Sequence, residues 1–194
     1  MNASRLLGSL LCLGVLATPS YALPGQRTET VAAWIAGNPA LRPTARDGLT
    51  VKRTSTAAQR FEFRASIFPP GLVSSIGNPG TIRSETFSIV DRINGVSQMQ
   101  LEQSLREIYG LDIYQDYLRG QILHSYHSEQ TLEMSRRLAL PGIAAQRGEI
   151  RLGEGFAYWV ELTSNGEGEV YAGQLTVLLM EDVEKLEREL ILGN

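Results

Sequence analysis

Both histidines of this chain fall in one stretch, His124-Ser-Tyr-His127-Ser-Glu129-Gln-Thr-Leu-Glu133. Imidazole is the natural general base near neutral pH and the commonest metal ligand. On a helix, residues three apart share a face. His124 and His127 could then hold one metal ion, with Glu133 or Glu129 as a third ligand. On a strand, side chains alternate, and residues three apart point to opposite faces. Gln121 to His127 follows a helix stop at Gly120 and carries Ile and Tyr, and it reads as a strand. The set Ile122, His124, Tyr126 then opposes Leu123, Ser125, His127. The helical alternative keeps Leu118, Ile122 and Tyr126 on one stripe. The strand reading leaves His124, His127 and Glu133 as weak candidates for catalysis or metal binding, so no metal or cofactor is expected.

Other chemistry is less visible. The chain has no G-x-S-x-G elbow, S-x-x-K, H-E-x-x-H or P-loop. A Ser-His-Asp triad would have to use His124 or His127, and no serine stands out. Glu149, Glu154 and Glu161 lie on or near strands without forming a recognisable pair. The single cysteine, Cys12, lies in the apolar N-terminal stretch. Once that stretch is removed, no disulfide or thiolate mechanism is available.

Aromatic residues offer a second kind of site. Tyr109, Tyr114 and Tyr117 crowd into EIYGLDIYQDY; Tyr158, Trp159 and Tyr171 fall on C-terminal strands. Tyr and Trp favour places that are apolar at one end and wet at the other, and they are enriched in binding hot spots. The bland reading of each is core packing with one hydrogen bond to the hydroxyl. Tyr114, Tyr117, Tyr171 and Trp159 are the binding candidates. Trp159 leads: it lies opposite Phe156, Tyr158, Val160 and Leu162 on its strand. If that set faces the core, Trp159 marks a binding surface or lies under a second helix layer.

The elements that must position these residues follow from pattern. Arg5, the apolar run Leu6 to Ala17, and small residues at Ser20 and Ala22 read as a secretory signal over residues 1–22. Residues 23–194 then form one domain exported to a periplasm, the exterior or a thylakoid lumen. No later apolar run suits a membrane span. Residues 23–92 carry net charge +4 and residues 93–194 carry −8, with the basic residues scattered. That distribution suits solubility and argues against a nucleic-acid partner.

Thr28–Gly37 reads as a helix, stopped by Gly37 and Pro39. Leu49–Thr54 and Arg60–Phe68 read as a hairpin, its second strand alternating cleanly. Residues 69–83 read as a long loop, and residues 84–93 fit either strand or helix. Ser97 and Gln100 form a capping box, with Val96 and Leu101 as a staple. Gly110 ends that helix, and Asp112 is the expected cap of the next. Glu149–Leu152, Phe156–Thr163 and Val170–Met180 read as strands, and Glu181–Leu192 as a final helix. The expected fold is α+β: a single domain, an antiparallel sheet of about five strands, helices packed on one face.

Two functions fit. The first is an exported, non-catalytic binding module that recognises a protein partner or a small apolar ligand through the sheet face and the 69–83 loop. The second is a small extracytoplasmic hydrolase with His124 or His127 as general base.

Overall fold

The computed structural model describes residues 23–71, 80–127, 133–134, 136–139 and 146–192. The candidate signal at 1–22, Glu129 and the middle of the 69–83 loop lie outside these residues. One antiparallel sheet organises the fold. Its strands are β1 (Thr50–Thr56), β2 (Gln59–Ser66), β3 (Ser84–Asp91), β4 (Gln121–Tyr126), β5 (Gln146–Leu152), β6 (Ala157–Ser164) and β7 (Val170–Leu178). Their spatial order is β1-β2-β3-β7-β6-β5-β4, so β1 and β4 are the edges. The described helices are α1 (Thr28–Gly37), α2 (Gln98–Tyr109), α3 (Leu111–Arg119) and α4 (Val183–Leu192). No helix among the described residues is long and apolar enough to cross a membrane.

The sheet has seven strands where about five were expected. Beyond the five best-marked strands are the ambiguous segment, which is β3, and the histidine segment, which is a strand as read, β4. In β3 the face carrying Phe87 also carries Glu85, which is fully buried. A carboxylate on the core side blurs the alternation that would announce a strand. As an edge strand, β4 has one flank in solvent, and it leaves Ile122 and Leu123 exposed.

One face of the sheet holds the main core. Val51, Phe63, Phe87, Leu175, Val177, Tyr158, Val160 and Leu162 point to it, under Val31 and Ile35 of α1, Leu101 and Leu105 of α2, and Ile113 and Tyr117 of α3. Helix α2 begins as its sequence dictates. The Ser97 hydroxyl accepts from the Gln100 amide, and the Gln100 side chain accepts from the Ser97 amide. Gly110, at φ +86°, ends α2 and is also the N-cap of α3. The expected cap at Asp112 is corrected: α3 has no side-chain cap, and Asp112 lies inside the first turn. Glycine permits so tight a junction because it reaches positive φ without a Cβ clash.

The expectation of helices on one face is also revised. Helix α4 packs on the opposite face, where Val183 and Leu186 cluster with Ile150, Ala157 and Leu178. Arg83 anchors its start, donating to both carboxylate oxygens of Asp182, at 3.0 and 2.6 Å, and to Glu181 at 2.7 Å.

Candidate binding surface

Strand register arranges the face under α4 in rows that cross the sheet. The first is Leu152, Ala157, Leu178, Ser84, Ser66. Its apolar half is what α4 covers. The second runs His124, Ile150, Trp159, Thr176, Thr86, Arg64. The third runs Tyr126, Gly148, Glu161, Gln174, Ser88, Glu62, Lys52. The face thus grades from apolar beneath α4 to polar beyond it, and Trp159 stands at the change.

Gly148 is the key to the third row. A Cβ there would collide with the Tyr126 ring and the Val160 carbonyl oxygen. With no side chain in the way, Tyr126 reaches from β4 across β5 to β6. Its hydroxyl donates to Glu161 Oε2 at 2.6 Å and accepts from Trp159 Nε1 at 3.0 Å. Gln174 donates a long bond, 3.5 Å, to the other Glu161 oxygen. Each polar atom of the chain Trp159–Tyr126–Glu161 therefore has a partner. Burial pushes the Glu161 carboxyl up, opposed by the Tyr126 hydrogen bond and the nearby His127 charge. Burial and Glu161 together raise the Tyr126 hydroxyl far above its ordinary range, so it stays protonated as a donor. The chain fixes the Trp159 indole, leaving it half-buried against the α4 cluster.

Beside Trp159 lies a groove of about 550 Å³. Its floor includes Ser84, Thr86, Ser88, Gln174 and Thr176; Trp159 and the turn Phe68–Gly71 contribute to its sides. Thr86 and Thr176 share a hydrogen bond at 2.8 Å, and Ser84 donates to the Phe68 carbonyl at 3.0 Å. Arg64 and Glu62, paired at 2.6 Å, lie at the polar side.

The strand assignment separates the histidines as expected but not by simple alternation. A bulge between Ile122 and His124 puts these two on opposite faces, which corrects the grouping of Ile122 with His124 and Tyr126. His124 stacks near Tyr126, ring centroids 6.2 Å apart. His127 leaves the strand at φ +56° and turns its ring edge-on to Tyr126 at 5.5 Å. The two histidines therefore flank one tyrosine. Glu133 pairs with Arg137 at 2.6 Å. Among the described residues, no group of three or more His, Cys, Asp or Glu side chains is placed to hold a metal ion.

The other aromatic candidates scatter. Tyr117 is fully buried; its hydroxyl donates to Glu102 at 3.0 Å and its ring lies beneath Arg151. Tyr114 is half-buried at a shallow pocket with Met99, Glu102 and Arg106. Tyr171 lies under the Arg92 guanidinium, 5.5 Å from the ring centre, in a cleft of about 1050 Å³ at the end of the sheet. That cleft is larger than the groove, but its polar groups build the turns that form it. Asp91 accepts from the Ile93 and Asn94 amides, and Asn165 from those of Glu167 and Glu169. The groove is the stronger candidate for that reason.

Sequence reasoning named Trp159 as a candidate and did not pick out Tyr126, Glu161 and Gly148 around it. Glycine inside a strand pattern, a mark of close approach, was the available signal. The carboxylates do not pair as in a glycosidase. Glu149 and Glu161 face opposite sides of the sheet. Glu161 and Glu62 lie three strand spacings apart, about 14 Å, beyond the separations glycoside hydrolysis uses. No protein-family model, curated protein or solved structure matches this chain.

Proposed function

We propose that this protein is an exported, non-catalytic binding module, and that the groove beside Trp159 is its binding surface. The observation that carries this reading is the fixed indole. A large aromatic side chain at the edge of a concave polar floor is held by a closed hydrogen-bond chain. Pre-organisation of this kind lowers the ordering cost of binding. The lining refines the ligand expected from sequence. Hydroxyl and amide groups dominate the floor, with Trp159 and Phe68 as its apolar parts. A ligand with a flat apolar face and a polar edge, or a protein loop with that character, fits better than a wholly apolar molecule.

Native mass spectrometry of the protein isolated from the cell that makes it tests the reading. Extra mass on the wild type, lost in Trp159→Ala, is the expected result. Bare chain in both, or extra mass indifferent to the substitution, would overturn it.

The second reading is a small hydrolase using His124 or His127 as general base. It draws on the buried Nδ1 of His127, which makes no hydrogen bond, and on a pocket of about 290 Å³ that His127 shares with Ser125 and Glu149. Replacing both histidines with glutamine should abolish any hydrolysis by this route; activity that survives excludes it.

A further inference from the structure

The groove beside Trp159 carries no net charge. Among the described residues that line it, Glu62 and Arg64 alone are charged. They pair at 2.6 Å, and Lys52 binds the second Glu62 oxygen at 3.3 Å. The accessible polar groups on the floor are neutral: Thr86, Ser88 and Gln174, all half-buried. Thr86 can accept from Thr176 and still donate outward. Ser88 has no side-chain partner among the described residues. Gln174 uses one amide hydrogen on Glu161, which leaves its carbonyl oxygen and second hydrogen for a ligand. Each of these groups both donates and accepts. The Trp159 N–H is taken by Tyr126, so this residue offers a ligand only its ring. Across the groove stands Phe68, beyond the end of β2 and 39% exposed. Strands β3 and β7 lie between β2 and β6, so the two aromatic sides are three strand spacings apart, about 14 Å.

We infer, resting on the binding surface proposed above, that its ligand is a neutral carbohydrate chain laid across the strands from Trp159 toward Phe68. A pyranose presents C–H groups on one face and hydroxyls around its rim. The C–H face suits an indole ring held in place at the side of a groove. The rim hydroxyls donate and accept alike, as do the floor groups, so they pair without a fixed pattern of donors and acceptors. A pyranose ring repeats at about the strand spacing, about 5 Å, so about three rings span the groove. A wholly aromatic ligand would cover the floor groups and leave them without partners, which is unfavourable. A charged ligand finds no unpaired counter-charge. A peptide strand adds to a sheet at its edge, through backbone groups. On this face the backbone groups are already paired in the ladder between β3 and β7.

Isothermal titration of the purified protein with cellotetraose, chitotetraose and maltotetraose tests the inference. At least one should bind at about millimolar concentration or below, with the same affinity at low and high salt. Trp159→Ala should weaken binding about tenfold or more. Gln174→Ala and Ser88→Ala should each weaken it about two- to tenfold, with thermal unfolding retained. Arg92→Ala, in the cleft at the end of the sheet, should change nothing. Failure of all three sugars to bind would overturn the inference. So would binding indifferent to Trp159→Ala and to both floor variants, or binding that falls steeply with salt. This failure is separable from failure of the surface itself. Extra native mass that is lost in Trp159→Ala but is not that of a carbohydrate keeps the surface and removes the sugar. Bare chain together with no sugar binding removes both.

Discussion

Tyr126 and Gly148 stand opposite one another on β4 and β5, and the missing side chain of one makes room for the ring of the other. Through that gap Tyr126 reaches Glu161, 35 residues away in sequence, and holds Trp159. Gly148→Ala places a methyl group in the Tyr126 ring and against the Val160 carbonyl. Overpacking of this kind costs about 1–3 kcal/mol. Urea unfolding should show that loss, and near-ultraviolet circular dichroism should show a changed Trp159 environment.

Tyr126→Phe is the gentler version. It keeps the ring and removes the hydroxyl, leaving Trp159 Nε1 and Glu161 Oε2 without that partner. A buried polar group left unpaired costs about 1–3 kcal/mol. Trp159 emission should shift as well, since its indole loses its anchor. Unchanged stability and emission would mean that the chain does not hold Trp159.

Asp116 has a comparable role on the other face. Its carboxylate accepts from the Tyr158 hydroxyl and the Glu154 amide, both at 2.7 Å, tying α3 to the β5–β6 turn. Asp116→Ala should lower unfolding stability by about 1–3 kcal/mol without altering Trp159 emission, which separates it from the Tyr126 variants.

Glu85 sets a pH dependence. It lies fully buried between Ala65 and Val177, with Tyr109 donating to Oε2 at 2.7 Å and Oε1 without a partner. Burial pushes its carboxyl up to about 7. An acid raised in the folded state favours folding when neutral. The contribution is fully present below the ordinary glutamate value and is lost as pH rises through 7, on the order of 3 kcal/mol. Glu85→Gln should flatten this part of the stability profile. A wild-type profile that rises between pH 5 and 8, with the variant parallel to it, would contradict this.

Local signals were legible where chemistry is local. The Ser97–Gln100 box, the alternation of Phe61, Phe63 and Ala65, and the helix end at Gly110 can be read from neighbours in sequence, whereas Gly110's second role as the cap of α3 cannot. Ser97→Ala should cost about 1 kcal/mol, measurable by thermal unfolding. Strand β3 was obscured because its core face contains Glu85; β4 was legible as a strand, but the bulge between Ile122 and His124 that sets its faces was not. The groove was illegible for a different reason. Trp159 was singled out by its phase on β6, but the residues around it come from β4 and β7, and strand order is a property of the fold.

The most direct test of the binding surface uses the placement of the two tryptophans. Trp34 stacks on Tyr109 on the α1 side of the sheet, whereas Trp159 lies on the other. In Trp34→Phe, Trp159 is the sole indole, and in Trp159→Phe, Trp34 is. Both proteins should be titrated with extract from the cell that makes this chain, and their emission followed. The account predicts a saturable change reported by Trp159 and a flat response from Trp34. A flat response from Trp159, or an equal change from Trp34, would contradict it.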